Sequence, residues 1–411
     1  MSKTPTIRVL FNDAHVNMPG SKQIPQGGPA RFAQNFSHYF AAHSKNISLI
    51  SILFTHDELA KSVSFRKTTA ASHDYYEVTY HSASLSNTFK NDYSKASYID
   101  ILSPWIKQID AIFDIAQPTI VFLNGFSLTN WMIMEVAHRR GVTVCTQHAG
   151  IWKKELEVGK DRFSSSVRTI FVGFEKEIIS KSNHLIFLND HSRSTFFAVH
   201  TIKKTPLLFA KTSIIPLPLD TRGSREISLS KKPFYTIGMV ARWDSIKNHA
   251  AIARVATYVH KKQLPYSFHI VTKWANGVVS NFKEKYQQLV TIVTPMQPDE
   301  LKNFYISKDI FILPSKFETC GSVVMEAILY GKPVIISDQV GWVTEYRKFK
   351  LSKLIIPPSA SGEKIANTIS ELIKNKELYI SRLTQLQKHI AKEHSLPVVF
   401  KQYYQVFKKL S

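Results

Sequence analysis

Residues 309–337 read DIFILPSKFETCGSVVMEAILYGKPVIIS, and the fold turns on how they are read. Asp309 to Leu313 is a short apolar run stopped by Pro314, the pattern of a buried strand. Ser322 to Tyr330 has the spacing of a short amphipathic helix, with Gly331 at its C′ position and Pro333 just beyond. Val334 to Ser337 is a second buried strand. The unit is strand, loop, helix, strand, and its loop carries Glu318, Thr319, Cys320 and Gly321. In a parallel sheet such a loop lies at the carboxyl ends of the strands, where α/β proteins bind ligands. The amide groups and positive dipole end of a helix starting at Gly321 to Val323 favour a phosphate there. Glu318 stays in the loop and Glu326 sits about one turn into the helix, so the two carboxylates flank that place at different heights. Such an arrangement fits hydrogen bonds to sugar hydroxyls better than acid–base work.

The same residues, in register, carry a resemblance. Pro314, Ser315, Glu318, Gly321, Glu326, Ala327, Gly331, Pro333, Val334, Ile335, Gly341 and Glu345 resemble the donor-site pattern of retaining GT-B glycosyltransferases of the family 4 type, glycosyl transferases group 1. An ordinary Rossmann-type strand and helix accounts for Gly331 and Pro333 but gives no reason for Glu318. The resemblance implies an α/β chain of two Rossmann-like domains facing each other across a cleft. It runs from near residue 8 to the end, sharp in the C-terminal half and in outline only before it.

A chain of 411 residues is long enough for two or three domains with real cores. With 44% hydrophobic and 20% charged residues it reads as globular and soluble rather than disordered. The start, MSKTPTIRVLF, runs into a strand without a signal-peptide apolar core, and no apolar run approaches the roughly 20 residues of a spanning helix. Cys145 and Cys320 do not suggest a disulfide, so a cytoplasmic setting is the expectation. A formal charge of +22 predicts anionic partners. Nucleic acid is not expected, for lack of a zinc finger, an RNP pattern or a basic helix interleaved with aromatics. Arg139, Arg140, Lys153, Lys154, Lys203 and Lys204 point to an anionic membrane surface or glycan as a partner of the first domain, at the inner face of a membrane.

Arg8 to Phe11 reads as the first strand, followed by a loop containing Gly27 and Gly28 and then a helix with Phe32, Phe36, Tyr39 and Phe40 on one face. Gly27 and Gly28 stand where a Rossmann-like backbone approaches a ligand, but without a GxGxxG a dinucleotide is not supported. The resemblance makes them the Gly-Gly loop facing the donor phosphates. Residues 55–92 read as irregular apart from a strand at Tyr76 to Tyr80. A helix then carries Ile99, Leu102, Ile106, Ile109 and Phe113, with Pro104 near its start. Strands follow at Pro118 to Leu123 and Val142 to Thr146, the second ending in Gln147 and His148. By itself His148 is as readily a structural or exposed histidine; the resemblance puts it near the transferred sugar.

The polar stretch between Pro218 and Pro233 is short of apolar anchors and reads as a linker. The expected division is an acceptor domain at 1–218, the linker at 219–233, a donor domain at 234–392, and a terminal helix at 393–411 that packs back on the first domain. Arg242 and Lys247 lie between the first strand and first helix of the donor domain, where two cations can face a diphosphate without metal. The resemblance assigns them that role and makes Met296 a candidate contact to the nucleotide base. It also makes Thr319, Cys320 and Gly321 backbone contacts to the diphosphate, Glu326 the partner of the ribose and Glu318 of the donor sugar. No metal site and no cofactor beyond a UDP- or GDP-sugar substrate is expected; the acceptor would be a glycan or lipid-linked hydroxyl. An epimerase, an inverting GT-B enzyme and a non-catalytic basic binding module on the same fold remain open alternatives.

Overall fold

The computed structural model describes residues 6–12, 28–43, 46–57, 59–70, 73–80, 94–159, 163–203, 205–272, 278–293 and 297–411. Gly27 and Met296 lie outside these residues, and Gly28 opens the helix Gly28–His43. The chain divides into two compact units, Met1–Pro218 with Leu396–Ser411, and Leu219–Ser395. No helix among the described residues is long and apolar enough to cross a membrane.

The first unit is built on strands β1 (Ile7–Asn12), β2 (Ile47–His56), β3 (Ser64–Ala70), β4 (His73–Tyr80), β5 (Ile120–Asn124), β6 (Thr143–His148), β7 (His184–Phe187) and β8 (Thr212–Ile214). Their order is β3-β4-β2-β1-β5-β6-β7-β8. Every pairing is parallel except β3 on β4. The strands run nearly continuously apolar because both faces of a parallel sheet are covered. On one face the helix Lys95–Ala116 buries Tyr98, Leu102, Trp105, Ile109, Ile112, Phe113 and Ala116. This differs from the sequence expectation: Pro104 lies inside the helix and Ile99 is exposed, so the buried stripe is turned toward the tryptophan. The other face holds an aromatic core in which Phe32, Phe36 and Phe40 meet Phe122 of β5 and Val399, Phe400, Tyr403 and Phe407 of the terminal helix Leu396–Leu410.

The second unit has β9 (Tyr235–Val240), β10 (Tyr266–Val271), β11 (Val290–Val293), β12 (Ile310–Leu313), β13 (Val334–Ser337) and β14 (Ile355–Ile356), ordered β11-β10-β9-β12-β13-β14 and parallel throughout. Gly238 of β9 is required by packing: a Cβ there would come within 2.6 Å of the Phe311 ring on β12. The stretch expected to be an unanchored linker is docked on this unit. Ile227 and Leu229 are buried, and Arg225 N–H and Ser228 N–H bond to the carbonyls of Leu329 and Gly331. A side chain at Gly331 would meet the Glu226 carbonyl at 2.3 Å, which with its φ of +80° excludes any other residue.

Each sheet reverses its direction of growth once, at β1/β5 in the first unit and at β9/β12 in the second. The crevice beyond the carboxyl ends of such a strand pair is where an open α/β sheet takes a ligand.

Candidate active site

In the second unit Arg242 and Lys247 follow β9 and Glu318 to Gly321 follow β12, the strand pair of the crevice. β9 ends at Val240 and is followed by Ala241 to Asp244 and a 3-10 turn, Ser245–Lys247. Asp244 caps that turn, its Oδ1 accepting the N–H groups of Ile246 and Lys247 at 3.1 Å each. Asn248 then adopts a left-handed conformation (φ 58°) and starts the helix His249–Lys261. Its Nδ2 donates to the carbonyls of Pro314 and Pro358, both at 2.9 Å. The amide of Lys316 donates to Ile246 O at 2.7 Å. The loop after β9 and the loop after β12 are therefore bonded into one body.

From the β12 side, the backbone of Glu318 is clamped in both directions. Its N–H bonds to Gln339 O at 2.9 Å and its carbonyl accepts Gly341 N–H at 3.0 Å, beside an isolated bridge to Val340. The later glycine of the motif, Gly341, is thus where the Glu318 backbone docks. Ser337 Oγ donates to Ser315 O and holds the start of the same loop. The Glu318 carboxylate pairs with Lys247 Nζ, and Ser315 Oγ donates to the same oxygen at 3.3 Å. Both partners of the ion pair are largely buried, with side chains 15% and 16% exposed.

The helix after the loop is Ser322–Leu329, with Gly321 at its N-cap in the left-handed region (φ 76°, ψ 70°). A Cβ at Gly321 would press on Leu313 at 3.0 Å. The N–H groups of the first turn of a helix lack intrahelical acceptors and carry the positive dipole end, and they follow directly on Thr319 and Cys320. Both of those side chains are buried, so that if they contact a ligand they do so mainly through backbone. Burial pushes the Cys320 thiol up, with Glu318 and Glu345 adding to the effect. That disfavours the thiolate, the nucleophilic form.

Arg242 is two-thirds exposed and its nearest acid is Asp244 at 3.6 Å. Glu326 is buried and its Oε2 accepts the Tyr305 hydroxyl at 2.7 Å. It borders a small cavity with Asp220, Arg222 and Tyr330. Thus Lys247 and Glu318 meet directly, Arg242 flanks them on the same loop, and Glu326 lies one turn into the adjoining helix. Trp243, between the two cations in sequence, stacks on His249 at 4.0 Å. Burial pulls the His249 imidazole down to about 4, against the pull of Asp244 and with a smaller push from Lys247.

His148 belongs to the first unit. It is the last residue of β6 rather than the residue just past it, and it is packed between Phe187 and Phe196 at 5.3 and 4.3 Å. Burial takes its imidazole down to about 4, with Glu175 opposing and His200 assisting. Its two ring nitrogens have no hydrogen-bond partner among the described residues.

At the carboxyl ends of β1, β5 and β6 the structure adds amide side chains that were not singled out from the sequence. Asn12 Nδ2 donates to Thr129 Oγ1 at 2.6 Å and Asn130 Oδ1 at 2.9 Å. Gln147 Nε2 donates to Asn124 Oδ1 at 2.8 Å, and the Tyr403 hydroxyl donates to Gln147 Oε1. The available signal was a polar residue closing each apolar strand run.

Residues 220–389 match the family model described as Glycosyl transferases group 1. Over 155 residues the chain is 28% identical to EpsF of Bacillus subtilis (strain 168), a match covering 36% of this chain and 40% of that protein. The chain thus spans less than half the length of this curated relative. Its fold is similar over nearly the whole length to sucrose-phosphate synthase from Thermosynechococcus elongatus, at a TM-score of 0.72 and 14% identity, covering 98% of this chain and 99% of the other. It is also similar to an E. coli structure titled trehalose-6-phosphate and bound with UDP-2-fluoro glucose, at a TM-score of 0.70 and 10% identity, covering 98% and 99%. Residues 220–389 therefore match the glycosyl transferases group 1 family model, on a chain whose fold is the two-domain α/β fold of GT-B glycosyltransferases.

Proposed function

We propose that this chain transfers a hexose from a nucleotide diphosphate sugar to a hydroxyl of a glycan or lipid-linked acceptor, with retention at the anomeric carbon and without metal. The observation that carries the reading is the Lys247–Glu318 pair at the β9/β12 crevice, next to the amide-rich start of helix Ser322–Leu329. A lysine held by a carboxylate in a pocket of low exposure is poised to exchange that partner for a phosphate oxygen. Lys247 and Arg242 neutralise the charge that grows on the leaving diphosphate, and the backbone of Thr319 to Gly321 adds N–H donors. Glu318, released from Lys247, accepts hydrogen bonds from the donor sugar; Glu326 does the same for the ribose. The acceptor oxygen bonds to the anomeric carbon on the face that the phosphate leaves. The bond from that carbon to the phosphate oxygen breaks, and the acceptor proton passes to the phosphate. Asn12 and Asn124 close β1 and β5 with polar groups suited to acceptor hydroxyls, Gln147 behind them holds Asn124 Oδ1, and His148 belongs to the same strand ends.

A UDP-sugar is the first donor to try, because a structure with a similar fold is bound with UDP-2-fluoro glucose. The test is a screen of UDP- and GDP-sugars, with product configuration read by proton NMR and transfer repeated in EDTA. Retained configuration and unchanged rates in EDTA support the reading. An inverted product, a requirement for added metal, or epimerisation of the donor without transfer overturns it. Nucleotide-dependent heat stabilisation with neither transfer nor donor hydrolysis would leave a binding module in its place.

A further inference from the structure

One edge of the first sheet is β8, which among the described residues pairs only with β7. Just before it, the short helix Pro206–Ala210 holds Leu207 72% exposed and Phe209 38% exposed. Beyond it, the terminal helix forms the far wall of a groove of about 200 Å³, with Ala210 and Thr212 on one side and Val406, Lys409 and Leu410 on the other. The two chain segments that make this edge, residues 191–219 and 396–411, contain no Asp or Glu. Lys203, Lys211, Lys408 and Lys409 on them are exposed, and the Arg193 guanidinium lies over the Phe209 ring at 5.0 Å. The basic residues first considered elsewhere on this unit are differently placed. Arg140 bonds to Asp110 and Asp114, Arg139 lies 3.9 Å from Asp110 and Lys154 lies 3.8 Å from Glu157. Lys153 Nζ donates to the Val199 carbonyl. Lys204 lies outside the described residues.

We propose that the β8 edge is a docking surface for an anionic lipid bilayer, with Leu207 and Phe209 entering the headgroup boundary and the surrounding lysines at phosphate level. Single exposed apolar residues are ordinary on protein surfaces. Here two sit within three positions on one short helix among exposed lysines, while Arg193 beside them is paired with Asp190 at 2.6 Å. An apolar pair framed by positive charge matches an interface that is apolar below and negative above. A soluble polyanion would use the lysines but give no role to Leu207 or to the outward part of Phe209, whose ring otherwise packs on Phe197 at 5.8 Å. This inference goes beyond the transferase reading and is measured by binding, so it stands or falls separately from catalysis.

The experiment is co-sedimentation of the full chain with phosphatidylcholine vesicles, with and without phosphatidylglycerol, over a salt series. The wild type should bind the mixed vesicles and not the neutral ones. Leu207→Ser with Phe209→Ser should weaken that binding by about tenfold or more. Lys408→Gln with Lys409→Gln should weaken it and flatten its salt dependence. A Leu207→Trp variant should show blue-shifted emission on the mixed vesicles. Circular dichroism should find all variants folded like the wild type, since Leu207, Lys408 and Lys409 are exposed and Phe209 lies at the surface against Phe197. Equal binding to neutral vesicles, unchanged affinity in the serine double variant, or an unshifted tryptophan would overturn the proposal. So would binding to heparin that is indifferent to Leu207 and Phe209 and is unaccompanied by vesicle binding.

Discussion

The pairing of Lys247 with Glu318 gives the single-residue test of the proposed chemistry. If Lys247 stabilises charge on a departing diphosphate, Lys247→Ala should lower turnover by about 10²-fold or more in a single-turnover assay. Glu318→Gln keeps the shape and removes the charge that holds the lysine, so it should raise KM for the donor sugar as well as lower kcat. Intact transfer in Lys247→Ala would remove Lys247 from the machinery. A second prediction rests on His249 next door. Its imidazole lies at about 4 when folded against an ordinary 6.5, because burial disfavours the cation. Below pH 6.5 the unfolded chain takes up a proton that the folded one refuses. The stability tied to this group is therefore complete above pH 6.5 and lost as pH falls toward 4. The loss attributable to it is on the order of 3 kcal/mol at the acid end. Replacing His249 with Phe, which keeps an aromatic ring against Trp243, should flatten the acid limb of urea-unfolding stability between those pH values. An unchanged limb would show that the histidine is not kept neutral by its surroundings.

At the level of elements, the joint between the β9 and β12 loops depends on Asn248. Asn248→Ala would leave the Pro314 and Pro358 carbonyls without their donor and force alanine into the left-handed region, a combined cost of about 3 kcal/mol. Asn248→Gly removes the bonds but tolerates the backbone, so its loss in chemical denaturation should be smaller. Equal losses in the two variants would mean that the backbone conformation contributes nothing there. This joint also marks how far the sequence could be read. Strand, loop and helix over 309–337 were legible because apolar runs, Gly331 and Pro333 punctuate them locally. The resemblance gave Lys247 to the diphosphate and Glu318 to the donor sugar; that the two side chains pair was not legible, since nothing local ties residues so far apart. β3 was invisible, because an edge strand reading SFRKTTA has little apolar alternation to announce it. Ile227 and Leu229 were passed over because serines and charges around them mask two anchors that only the folded unit buries. The packing of His148 between Phe187 and Phe196 is likewise a tertiary fact, with no periodicity to signal it.

Across the whole molecule, the chain leaves the first unit at Pro218, builds the second through Ser395, and returns to the first as its terminal helix. That helix is part of the first unit's core rather than an appendage. Val399, Phe400, Tyr403 and Phe407 are wholly buried, and Tyr403 also donates to Gln147 at the end of β6. Full burial of four such side chains contributes roughly 6–12 kcal/mol, comparable to the entire net stability of a typical domain. Ending the chain at Ser395 should therefore unfold the first unit while the second, whose sheet and helices all lie within Leu219–Ser395, keeps its fold. Limited proteolysis of the shortened chain should yield a resistant fragment beginning near residue 219, and nucleotide should still protect that fragment from heat. Phe400→Ala offers a milder form of the same test, costing about 3–5 kcal/mol in the first unit alone. Protection of residues 6–218 from protease in the shortened chain would show that the aromatic face of Phe32, Phe36 and Phe40 does not need the returning helix.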